Sequence, residues 1–184
     1  MPVLHASFER HLLEAFEREE VTEVSMIADA LRARLDELED DVRSAHVYRA
    51  KSAAIQSIVS RILTNDLDFR EEVVITPQDG LVSRARPDFV HQIRPGRGVI
   101  AEVERGGTVT NNHDLKDMWK THFAPDVQHL ILVVPQANWN ERGVAREKPF
   151  HRVTQRMRSF FGDARREVDV LSCHVLGYGS DVLS

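Results

Sequence analysis

A chain of 184 residues with 42% hydrophobic and 29% charged residues has a globular composition and enough length for one domain with a real core. Its longest apolar run, Leu130 to Val134, is far too short for a membrane helix, MPVLHASFERH lacks the basic and apolar regions of a signal peptide, and the lone Cys173 permits no internal disulfide, so a cytoplasmic setting is expected. The net charge of −5 does not announce a nucleic-acid binder, but it is unevenly spread: residues 1–42 hold twelve Asp or Glu against four Arg, and residues 141–167 hold eight Lys or Arg against four acids. That asymmetry permits a basic binding face on an acidic protein, and equally a pair of solvated helix faces.

Residues 5–20 and 22–42 read as helices, the first with Leu12, Leu13 and Phe16, the second with Val24, Ile27, Leu31, Leu35 and Leu38 at three- and four-residue steps. Thr22 is placed to cap the second. A third helix over 44–63 puts Val47, Ile55, Ile58, Val59 and Ile62 on one face, with Lys51 on or beside it. EEVVIT (71–76) is a strand, PQDGLVS a turn around Asp79-Gly80, RARPDFVHQI (84–93) a second strand and VIAEVER (99–105) a third. After the loop GGTVTNN, Asn111 or Asn112 caps a helix from His113 to Phe123 with Leu115, Met118, Trp119 and Phe123 as its apolar face. HLILVVP (129–135) has the continuous apolar character of a strand covered on both faces. A basic helix from Val144 to Phe161 and a strand at 168–177 follow. The expected fold class is a mixed α/β layer protein. Its single domain comprises a helical extension (1–43), a core (44–135) and a closing basic helix and strand (136–184).

Within the third strand, Glu102 and Glu104 share a face while Ala101 and Val103 point the other way. Asp88 lies on the preceding strand, one tight turn away. Three carboxylates can therefore converge, and like charges side by side in a sheet repel. A hard cation, Mg²⁺ with Mn²⁺ as a substitute, wants such oxygens and would relieve the repulsion. The alternative is a solvent face on which these acids pair with Arg84, Arg86 or Arg105.

The order helix, strand, turn, Pro-Asp strand, turn, Glu-x-Glu strand, helix resembles the PD-(D/E)XK nuclease superfamily over roughly residues 44–135. Pro87-Asp88 matches the first half of its motif. Glu102-Val103-Glu104 matches the second, with Glu104 where a Lys is usual. A glutamate there makes the chain most similar to the BamHI-like restriction endonucleases. The resemblance implies a restriction-endonuclease-like αβββαβ core with a mixed central sheet, and metal held by Asp88, Glu102, the Val103 carbonyl and Glu104. It also implies an upstream acid at the metal, for which Glu72 is chosen over Glu71. Glu104 would act as general base or as ligand of a second metal, or the lysine role would pass to Lys116 and Lys120 on the following helix.

The function expected on this basis is a Mg²⁺-dependent DNA endonuclease, working as a homodimer because each core offers one active site to a two-stranded substrate. The surface expected to meet DNA comprises Asn111, Asn112, Arg146, Lys148, Arg152 and Arg156, with Arg158 on the same basic helix. A catalytically inactive DNA-binding or protein-interaction module is the alternative, and a nuclease of RNA a third. The acidic N-terminal helices suit dimerisation or bracing of the core. His113 and His122 are nine residues apart, a spacing that does not make a helical zinc pair.

Overall fold

The computed structural model describes residues 2–48, 52–73, 75, 86–105, 108, 110–162 and 168–180. Among them lies a mixed six-stranded sheet in the order β1 (Leu4–Glu9), β8 (Ser172–Tyr178), β5 (His129–Pro135), β4 (Arg97–Val103), β3 (Phe89–Arg94), β2 (Arg70–Glu71). The three central strands β8, β5 and β4 are parallel, and the flanking pairs are antiparallel. Helices α1 (Ala15–Glu37), α2 (Glu39–Ala45) and α3 (Ser52–Asp66) cover one face. Helices α4 (His113–Phe123) and α5 (Pro149–Phe161) cover the other. A separate hairpin, β6 (Asn138–Trp139) and β7 (Ala145–Glu147), stands beyond the end of β5. No described helix is long and apolar enough to cross a membrane.

The alternation of strand side chains builds the two cores. Val99, Ala101, Ile131 and Val133 pack with Val24, Leu31, Ile55 and Val59 on one side. Ile100, Leu130, Leu132 and Val134 pack with Met118, Val153 and Met157 on the other. Each such side chain taken fully from water contributes about 1.5–3 kcal/mol. The apolar stripe of α1 is spent on the chain's own sheet in this way, so bracing the core accounts for it. Glu20 of α1 is fully buried and is held by the Arg97 guanidinium at 3.1 Å from Nε and 2.6 Å from Nη2, which ties α1 to the first residue of β4.

Several expected elements differ. Residues 4–9 form strand β1, not the start of a helix, because their backbone groups find partners along β8, from Leu4↔Gly177 to Glu9↔Ser172. Leu12, assigned to a helix face, is exposed. The third helix is interrupted: α2 ends at His46, whose ring bonds the Ala137 carbonyl at 2.8 Å, and α3 resumes at Ser52. The strand expected at 71–76 is described as a strand only at Arg70–Glu71, since Glu72 has φ +47°, a left-handed conformation that breaks extended backbone. The expected basic helix begins at Pro149, whose fixed φ suits the first helical position, and its first residues belong instead to β7. Lys51, Arg84 and the Asp79-Gly80 turn lie outside the described residues.

Candidate active site

The antiparallel register that pairs Phe89 with Ala101 brings Asp88 opposite Glu102, one step beyond the paired residues. Their polar groups interlock. The Asp88 amide donates to Glu102 Oε2 at 3.2 Å, and the Val103 amide donates to Asp88 Oδ2 at 3.0 Å. Both side chains share the sheet face of Val90 and Ile100, under α4. Beyond the strand end, Glu104 continues the same face. Its amide is fixed by the Val133 carbonyl at 2.8 Å, and its carbonyl accepts from the Tyr178 hydroxyl at 3.1 Å.

Helix α4 completes the site with an inward face that is polar. The expected apolar face is only partly right: Met118 is buried, but Trp119 and Phe123 are exposed. The buried set is Asp114, Asp117, Met118 and Thr121. Two acids tolerate this position because each has a cation. Lys120 Nζ donates to Glu102 Oε1 at 2.5 Å and to Asp117 Oδ1 at 3.0 Å. Arg156 of α5 donates to Asp114 Oδ1 at 2.6 Å and to Asn112 Oδ1 at 2.8 Å. His113 Nδ1 lies 2.9 Å from Glu104 Oε2.

A cleft of ≈ 930 Å³ is lined by Asp88, Glu102, Glu104, His113, Asp117 and Lys120, among others. Burial, then the Asp117 charge, push the Glu102 carboxyl up to about 8 against the opposing pull of Lys120. Burial also raises Glu104, with His113 opposing, and raises Asp117, with Lys120 opposing. Burial would lower Lys120, but Asp117 and Glu102 outweigh it and hold the ammonium charged. A cleft floor that drives three carboxyls toward protonation is one that favours an added positive charge.

Of the expected site residues, the structure brings together Asp88, Glu102, Val103, Glu104 and Lys120. It separates Lys116, which is exposed on another flank of α4 and does not line the cleft. It also separates Glu72: its left-handed backbone turns the exposed side chain toward Arg86, at 3.7 Å, instead of the carboxylates. Arg146 lines the cleft, while Lys148 and Arg152 are exposed at the start of α5. Asn111 and Asn112 are exposed ahead of α4. Asn112 is the N-cap residue in a left-handed conformation, φ +55°, yet its side chain does not cap the helix and receives Arg156 instead. Arg156 is thereby committed to Asp114 and Asn112.

Sequence reasoning missed Asp117 and the His113–Glu104 contact. The signal was present: His113, Asp117 and Lys120 follow steps of four and three, one helical face, as did the apolar residues that drew attention first. Among the described residues no group of three His, Cys, Asp or Glu stands ready to close around a metal ion. The chain matches no protein-family model, and no curated protein matches it.

Proposed function

We propose that this chain is a Mg²⁺-dependent endonuclease that hydrolyses DNA phosphodiester bonds on a restriction-endonuclease-like core. The run α3–β2–β3–β4–α4–β5, with β5 parallel to β4, supports the reading by its element order. The observation that carries it is the convergence of Asp88, Glu102, Glu104 and Asp117 on one cleft with Lys120 among them.

The donor set fits a hard divalent cation. It consists of carboxylate oxygens and a strand-end carbonyl, and Asp117 Oδ2 is buried with no partner. Asp88, Glu102 and the Val103 carbonyl would hold the ion, with Glu104 beside them. Such an ion lowers the pKa of a water and neutralises phosphate charge in the transition state. The chain's own groups do the rest. Glu104, oriented by His113 and by the Tyr178 hydrogen bond to its carbonyl, accepts the proton of the attacking water. Lys120 fixes Glu102 and Asp117 relative to each other and offers an ammonium to the phosphate. A duplex cut on both strands needs two such clefts, hence a two-fold pair of chains.

The test is supercoiled plasmid incubated with Mg²⁺, with and without EDTA. Nicking or linearisation is expected with Mg²⁺ alone, and Asp88→Asn and Glu102→Gln abolish it while circular dichroism stays unchanged. Cleavage by both variants at the wild-type rate would refute the assignment. A binding module without activity is the second reading, favoured by one observation: Lys120 already satisfies Glu102 and Asp117 without metal. Calorimetric titration with Mg²⁺ separates the two, since the module would show no binding heat that Glu102→Gln removes.

A further inference from the structure

The hairpin β6–β7 is absorbed by neither the carboxylate site nor the sheet, yet four of its residues, Asn138, Trp139, Arg146 and Glu147, line the same cleft. It is held rigidly. Asn138 Nδ2 donates to the Arg105 carbonyl at 3.0 Å, just past the Glu104 strand end. The loop is closed by Asn140 Oδ1, which accepts from the amides of Arg142 and Val144 at 2.9 and 3.0 Å, with Gly143 at φ +72° supplying the turn. An indole on this frame stands half-buried beside a polar cleft, and no ring packs on Trp139 among the described residues. Arg105 and Arg146 line the same cleft, and neither has a carboxylate partner among the described residues. Arg105 donates from Nη2 to the Val47 carbonyl at 2.7 Å, while its Nε is buried without a partner.

A cleft floored with carboxylates would be expected to draw nearby guanidinium groups into ion pairs. These two have no carboxylate partner among the described residues and line the cleft together with the Trp139 indole. Guanidinium groups take phosphates, and an indole face takes a base. In a continuous duplex every base face is already stacked on its neighbours, so a side wall of this kind has use only for an unpaired nucleotide. We propose that the hairpin wall is a nucleotide subsite for single-stranded DNA, with Trp139 stacking on an unpaired base and Arg105 and Arg146 holding the phosphates beside it. The proposal rests on the nuclease reading and narrows its substrate to DNA with an unpaired stretch next to the cut.

The test is binding in EDTA, where nothing is cleaved. Trp119, exposed on the outer side of α4, is the other tryptophan, so W119F leaves Trp139 as the lone indole reporter. Adding a single-stranded oligonucleotide is expected to quench and blue-shift its emission, while a blunt duplex of the same sequence leaves the emission unmoved and binds more weakly. Trp139→Leu should weaken single-strand binding by roughly five- to hundredfold, the span that base–aromatic stacking gives. Arg146→Met should flatten the salt dependence of log K by about 0.7. The salt slope is read by anisotropy of a labelled oligonucleotide, so it stands even if Trp139→Leu fails to fold. Duplex binding as tight as single-strand binding, with Trp139 emission unmoved, would overturn the subsite and leave the nuclease reading standing. Binding of neither form would overturn the subsite and leave the nuclease reading to the Mg²⁺-dependent cleavage assay.

Discussion

Replacing Lys120 by Met keeps most of the stem and deletes the ammonium that spans Glu102 and Asp117. Removing one partner of a buried ion pair costs about 3–5 kcal/mol, because the remaining charge is left uncompensated. The carboxyls have an escape, which is to take up a proton. Glu102 is raised from 4.5 to about 8, chiefly by burial, even with Lys120 in place. At about 1.4 kcal/mol per unit, that displacement corresponds to about 5 kcal/mol. A carboxyl with a raised folded pKa binds its proton more tightly folded than unfolded. Its contribution is complete below pH 4.5 and is lost as pH rises through about 8. Without Lys120 the window extends higher still. The variant should therefore lose little stability near pH 5, where Glu102 is neutral, and more at about pH 9, where Glu102 ionises unpaired and the loss approaches about 3–5 kcal/mol. Urea denaturation in EDTA at the two pH values reads the difference directly. An equal loss at both would show that Lys120 acts through packing, and a larger loss at the acid pH would reverse the sign and refute the reasoning.

Arg156→Met strands the fully buried Asp114 and should cost about 3–5 kcal/mol in chemical denaturation, with Asp114→Asn recovering most of it in the double variant. On the proposed nuclease reading, Glu104→Lys should not improve plasmid cleavage, since His113 is set against a carboxylate; a clear gain in rate would favour the inactive-module reading. His129 and His174 are pushed down to about 4 chiefly by burial. A lowered histidine contributes stability that is present above pH 6.5 and lost as pH falls through about 4, so His174→Gln should flatten the acid limb by about 3 kcal/mol in denaturation from pH 7 to pH 4.

What the sequence made legible follows the physics of each element. β5 and α4 were readable because a continuous apolar run, Leu130 to Val134, and a periodic segment each have one local solution. The convergence of Asp88 with Glu102 was readable because strand alternation and one tight turn fix both faces at once. β1 was not, since its partner β8 lies near the other end of the numbering and no local pattern announces so distant a pairing. The inward face of α4 was misread for a related reason. Asp114 and Asp117 are poor core residues until Arg156 and Lys120 arrive, and Arg156 comes from another helix. Glu72 fell away through a backbone angle, φ +47°, which residue type does not encode.

The pairing of β1 with β8 also sets the order of events during synthesis. β1 leaves the ribosome well before β8, so the edge it completes does not exist until β8 has been made. Until then a strand bearing Leu4, Ala6 and Phe8 waits without a ladder, and pairing across so long a loop is slow. Two chains ripening close together on one messenger are each supplied with the same orphan strand and the same vacant edge. Exchange of β1 between them is therefore the characteristic way for this protein to misassemble, and its yield on refolding should fall as concentration rises.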